Sequence, residues 1–229
     1  MGGKAGTART PSRARKRRRR QPGVQLGEDV VRNMILYGAS KVFAAHGLRA
    51  ASVEHILAAA DISRRTFYLM FRNKEDVAMA LYRLGTDALI ASCRRAVAAE
   101  SDALDQVKRC VDIHLRNARD LGRLIFVLGG EAQRPESPLY ARRMEVQSAI
   151  VAMLQPGQEV AAGGPVDPLL LRGLVLALEA VTRMVLAEGD EGRRVDDASI
   201  ERARRVMARI VSASLAGQGP RVAPIPLTG

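Results

Sequence analysis

A chain of 229 residues with 47% hydrophobic content can bury a sizeable core, which excludes disorder throughout. No apolar run approaches the ~18 to 20 residues of a membrane span, and no short apolar leader opens the sequence. The two cysteines and three histidines are scattered, so the expectation is a soluble, cytoplasmic protein with no disulfide framework, no metal site and no cofactor.

The formal charge of +12 is unevenly spread. Lys4, Arg9, Arg13, Arg15, Lys16, Arg17, Arg18, Arg19 and Arg20 crowd the start with no acidic residue between them, leaving the remainder nearly balanced. Residues 1–27 carry Gly, Pro, Ser and Arg with almost no large apolar side chain, a composition that predicts a disordered basic tail. That tail fits either an arm lying along phosphates or a solubilising extension.

From Glu28 the pattern changes. Val31, Met34, Ile35, Gly38, Ala39, Val42 and Phe43 recur at helical spacing up to Gly47. Ser52 is a good N-cap for a short second helix, with Glu54 in its first turn and Val53, Ile56, Leu57 and Ala60 facing inward as far as Asp61. Ser63 can cap a third helix with Thr66, Phe67, Met70 and Phe71 inward and Arg64, Arg65, Tyr68 and Arg72 on a basic, aromatic outer side. A long helix is predicted over 74–99, followed by helices over 102–119 and 121–129, a breaker segment at 134–138 and a helix over 139–154. A Gly/Pro-rich loop at 156–165, helices over 167–188 and 197–216 and a closing disordered tail at 217–229 complete the reading. The fold class expected is all-α, with about nine helices: a DNA-binding domain at 28–76 and a larger helical domain at 77–216.

Three short helices with a tight turn before the third, followed by a long helix, form a helix-turn-helix layout. The strings Phe43-x-x-x-Gly47, Ser52-Val53-x-x-Ile56, Ala60-Asp61-Ile62-Ser63, Thr66-Phe67-Tyr68, Phe71 and Asn73-Lys74-Glu75 resemble the DNA-binding region of the TetR family of transcriptional regulators. The likeness covers about 28–77, with Asp61 where the family usually has Gly and Leu57 where it usually has Ala.

The resemblance implies a sequence-specific repressor, released from a palindromic operator in double-stranded DNA by an unidentified small-molecule effector. Arg64 and Arg65 would read guanine edges, and Ser52, Tyr68 and Lys74 would hold phosphates, with Ser63 and Thr66 completing the DNA-binding set. The stretch 167–188 is apolar nearly all round and must be covered on two sides, which in this family points to a homodimer through the last two helices. The middle helices would enclose a ligand pocket. Cys110, His114, Phe126, Met144 and Arg183 are its candidate lining residues, although each also fits as plain core.

Two other classes compete with this reading. An enzyme is disfavoured because the chain has no GxGxxG, P-loop, HExxH or GxSxG string and no triad-like cluster. An architectural DNA binder using the basic tail would show little preference among sequences and a steep salt dependence.

Overall fold

The computed structural model describes residues 22–188 and 195–215. Eight helices are formed among them: α1 (Pro22–Ala50), α2 (Val53–Ala60), α3 (Arg64–Met70), α4 (Lys74–Ala99), α5 (Ala103–Ala132), α6 (Tyr140–Ala162), α7 (Pro168–Glu188) and α8 (Asp197–Leu215). The described residues contain no strand, in keeping with the all-α expectation. None of these helices is long and apolar enough to cross a membrane.

Three boundaries differ from the sequence reading. The helix expected from Glu28 starts at Pro22, a residue whose fixed φ and missing N–H suit a first helical position. The rest of the predicted N-terminal tail, 1–21, and the closing tail at 217–229 lie outside the described residues.

The helices predicted over 102–119 and 121–129 run on into each other as α5, and the expected break survives as a kink at Gly122 (φ 33°, ψ −104°), a conformation open to glycine and strained for other residues. This merger reduces the expected nine helices to eight. The loop expected at 156–165 is mostly helix: α6 runs through Pro156 and stops at Gly163. Docking overrides the breaker there, because Gln158 is buried and its Nε2 donates to the Ala103 carbonyl at 2.6 Å.

Two cores hold the molecule. The first joins Ile35, Phe43, Ile56, Phe67, Phe71 and Val77 of α1 to α4 with Leu128, Ala132 and Leu139 from beyond the α5 bend. The second lies among α4 to α8, around Val107, Leu115, Leu154, Leu171, Met207 and Val211. The boundary drawn at 76 therefore falls inside the continuous α4, and the second half of α5 packs into the N-terminal unit.

Met34, expected inward, is 41% exposed. On α7, Leu171, Leu174, Val185 and Leu186 are buried, whereas Leu169, Leu176 and Met184 remain open to solvent. One side of this apolar helix is thus covered by its own chain and the other is not.

Candidate nucleic-acid interface and interior cavity

The short α2 and α3 owe their placement to caps. Ser52 Oγ accepts from the His55 amide at 3.2 Å, and the Ser52 amide donates to His55 Nδ1 at 3.3 Å, a reciprocal box that satisfies two otherwise orphaned donors. Sequence alone had indicated Glu54 for the first turn and overlooked His55. Asp61 ends α2 in the left-handed region (φ 51°, ψ 52°), where its amide donates to the Leu57 carbonyl. Ser63 then caps α3, accepting from the Thr66 amide at 3.1 Å and sharing a hydroxyl hydrogen bond of 2.8 Å with Thr66 Oγ1.

Phe67 is fully buried and Phe71 nearly so, which fixes the rotation of α3 about its axis. Ser63, Arg64, Arg65 and Tyr68 consequently share the exposed side, with Thr66 half-buried at its edge. Leu69 is also there, 72% exposed and one turn beyond Arg65. The sequence reading missed it, although spacing from Arg65 places it on the same face.

The candidates differ in their partners. Arg64 Nη2 donates to Glu54 Oε1 at 2.6 Å, tying α3 to α2; this hydrogen bond and the adjacent charge raise the guanidinium above its ordinary value. The sequence reading overlooked the pair because the residues are ten apart and no local rule links them. Arg65 has neither an ion pair nor a hydrogen bond among the described residues. Arg72 is clasped by both oxygens of Asp76, at 2.7 and 2.8 Å, which lowers the carboxyl below its ordinary range.

Lys74 turns away from this group. Its ammonium donates to the carbonyls of Arg49 and Ala51 at 2.9 and 2.7 Å, closing the end of α1. Ser52 stands at the α2 N-terminus, apart from the α3 cluster. The structure therefore brings five of the seven candidates together on or beside α3 and gives Lys74 a structural partner.

Between α4, α5, α6 and α7 lies a cavity of about 190 Å³. Cys110, His114 and Arg183 line it. Phe126 and Met144 do not, because the lining stripes run through Leu121, Leu124, Ile125 and Leu128 on α5 and through Arg143, Val146, Gln147 and Ile150 on α6. Each of the two excluded residues is one position, about 100°, off its stripe. Phe126 instead lies under the guanidiniums of Arg123 and Arg183, at 5.5 and 5.1 Å.

The walls are mostly apolar with a polar patch. Glu179 accepts from Arg143 Nη2 at 2.6 Å and from Gln147 Nε2 at 3.0 Å. Burial pushes the Tyr82 phenol up to about 12 and pulls His114 below its ordinary range against the opposing pull of Glu179. Cys93 and Cys110 are both free and buried. The Cys93 thiol is pushed up by its hydrogen bond with Cys110 and by burial.

Residues 35–81 match the family described as bacterial regulatory proteins, tetR family. The helix-turn-helix of this chain is therefore of the tetR type. Over about four fifths of the chain the all-helical architecture is similar to solved structures of bacterial transcriptional regulators. A fatty acid degradation regulator, FadR, from Bacillus halodurans has a TM-score of 0.65 and 22% identity, covering 83% of this chain and 97% of the other. FadR from Bacillus subtilis, solved in complex with stearoyl-CoA, has a TM-score of 0.67 at 15% identity, covering 81% and 98%. The ketosteroid transcriptional regulator KstR2 of Mycobacterium tuberculosis has a TM-score of 0.59 at 21% identity, covering 81% and 93%. Among curated proteins no significant sequence match was found.

The matched region spans most of α1, all of α2 and α3, and the first turns of α4. The cavity begins where the match ends: Leu81 is its first lining residue in chain order. The helix-turn-helix and the cavity thus share α4 as a common wall.

Proposed function

We propose that this TetR-family protein is a dimeric repressor that inserts α3 into the major groove of a near-palindromic operator and leaves it when a small, mostly apolar effector fills the cavity. The observation that carries the reading is the orientation of α3, which buries Phe67 and presents Arg64, Arg65, Tyr68 and Leu69 together on one exposed face. Arginine forks suit guanine O6 and N7, an apolar side chain suits the thymine methyl, and a tyrosine hydroxyl suits a phosphate. Arg64 keeps free N–H groups for a base while Nη2 stays on Glu54.

Phosphate contacts are assigned to Tyr68, the Ser52 hydroxyl and the amides at the starts of α2 and α4. Lys74 supports them by anchoring α4 rather than by reaching the backbone with its committed ammonium. The open side of α7, with Leu169, Leu176 and Met184, is the face that pairs with a second copy alongside α8. Such a pair would set two recognition helices ~34 to 36 Å apart, one turn of DNA.

The segment of α5 beyond Gly122 supports ligand coupling. Leu128 lines the cavity and also belongs to the N-terminal core. Arg123 Nε donates to the Ala44 carbonyl of α1 at 3.3 Å, and Glu131 pairs with Arg49 at 3.6 Å. An effector with different affinities for two positions of this segment would shift the DNA-binding unit. The binding of stearoyl-CoA by the similar FadR from Bacillus subtilis supports an apolar effector for this chain.

The test is selection of bound sequences from a random DNA pool at about physiological ionic strength, ~0.15 M. One palindrome should emerge, with two chains per site by sedimentation. Arg64→Ala and Arg65→Ala should each lose ~1 to 3 kcal/mol of discrimination at a defined base pair. A pool with no enriched sequence would replace this reading with nonspecific, architectural binding.

A further inference from the structure

Buried polar atoms without partners are rare, and each asks for a physical explanation. Among the described residues five side-chain atoms are in that position, and three belong to cavity residues: His114 Nε2, Thr182 Oγ1 and Arg183 Nη1. The other two sit on side chains that are otherwise engaged. Gln106 Nε2 donates to the carbonyls of Val97 and Glu100, and Arg134 pairs with Glu131 and Glu136.

Arg183 is different in kind. It is a half-buried cation with no ion pair and no hydrogen bond among the described residues. Its guanidinium lies over the Phe126 ring and beside Gly130, where an added Cβ would stand 2.5 Å from Nη1. The other two charges of the wall, Arg143 and Glu179, neutralise each other. The lining therefore carries one uncompensated positive charge in mostly apolar surroundings, and taking a charge out of water without a partner is costly.

We infer that the effector is an amphipathic monoanion, a carboxylic acid on a hydrocarbon body, whose carboxylate pairs with Arg183 while the body fills the space between Leu89, Leu124, Ile150 and Leu178. A carboxylate matches the planar guanidinium fork and supplies the missing acceptor. Thr182 and His114, two neutral orphans on the same walls, accommodate a further oxygen. A phosphate dianion would lack a second free cation here. The cavity has room for on the order of ten heavy atoms, the size of a medium-chain or arylalkyl acid. This inference rests on the cavity being the effector site.

The experiment uses the full chain and three matched pairs: octanoate with octanol, decanoate with decanol, and hydrocinnamate with phenylpropanol. Thermal stability is followed as each is titrated into wild type, Arg183→Met and Arg183→Lys, and operator affinity is measured in the same samples. Without additive, Arg183→Met should melt higher than wild type, because it removes an unpaired cation and keeps the hydrocarbon stem. At least one acid should protect wild type with about tenfold tighter half-saturation than its alcohol. That preference should vanish in Arg183→Met and persist in part in Arg183→Lys.

The inference is overturned if alcohols match their acids, if acids protect Arg183→Met as well as wild type, or if no acid shifts wild type. An acid that binds through Arg183 without altering operator affinity would sink the release mechanism and leave the ligand class standing. Release by an alcohol alone would do the reverse.

Discussion

His114 lies in the cavity wall with no partner for Nε2, and burial holds its imidazole below the ordinary range. The folded state therefore resists a proton that the unfolded chain accepts near pH 6.5. Stability from this residue is fully present above that pH and declines as pH falls through it toward the lowered folded value. In unfolding free energies from denaturant titrations between about pH 8 and pH 5, this residue should contribute a fall of at most ~1.4 kcal/mol per pH unit below 6.5, and His114→Gln should flatten that limb. Carboxylates such as Glu54, lowered by a backbone hydrogen bond and by Arg64, and Asp76, lowered by Arg72, act in a more acidic window and leave the difference between the two proteins intact. Identical profiles would mean that the imidazole finds water or a partner. At this scale the sequence was legible for caps: Ser52 and Ser63 were both recognisable from their residue type ahead of an apolar helical pattern. It was not legible for Lys74, whose ammonium is claimed by carbonyls some twenty positions upstream.

Between elements, the crossing of α1 and α2 depends on Gly38. A Cβ there would meet Ala60 Cβ and the Ala60 amide nitrogen at 2.9 Å, and backbone cannot swing aside as a long side chain can. Gly38→Ala should cost ~1 to 3 kcal/mol by overpacking and, because α2 carries α3 with it, weaken operator binding beyond the loss of folded protein. Thermal melts alongside operator titrations at matched folded fraction check both parts. An unchanged melting temperature would show that α2 slides freely. The same reasoning explains why Pro156 failed as a punctuation mark: a proline removes one intrahelical bond, but the buried Gln158 and its bond to Ala103 hold the next turn in place. The break that does bend a helix is at Gly122, two positions past the gap expected at residue 120.

Across the whole molecule, α5 beyond Gly122 touches both the cavity and the helix-turn-helix, as α4 does. If it carries the coupling, Arg123→Ala, which removes the 3.3 Å hydrogen bond to Ala44, should leave operator affinity without effector within about twofold of wild type while reducing the effector-induced change. Coupling free energies of this kind are ~1 to 3 kcal/mol, so a several-fold loss is measurable by operator titration at zero and saturating effector. An unchanged ratio would place the coupling elsewhere, with the shared α4 wall the next element to perturb.

The amino-acid sequence by itself determined the all-helical class, the helix-turn-helix and the outward face of α3, because these rest on local spacing, caps and the residue types of one continuous stretch. Tertiary structure alone decided that the two halves of α5 bridge two cores, that Arg64 is tied to Glu54, and that Phe126 and Met144 turn away from the cavity while Arg183 is left in its wall without a countercharge. Those outcomes depend on which helix faces meet across the bundle, and that meeting is a property of packing between distant segments that no window of sequence contains.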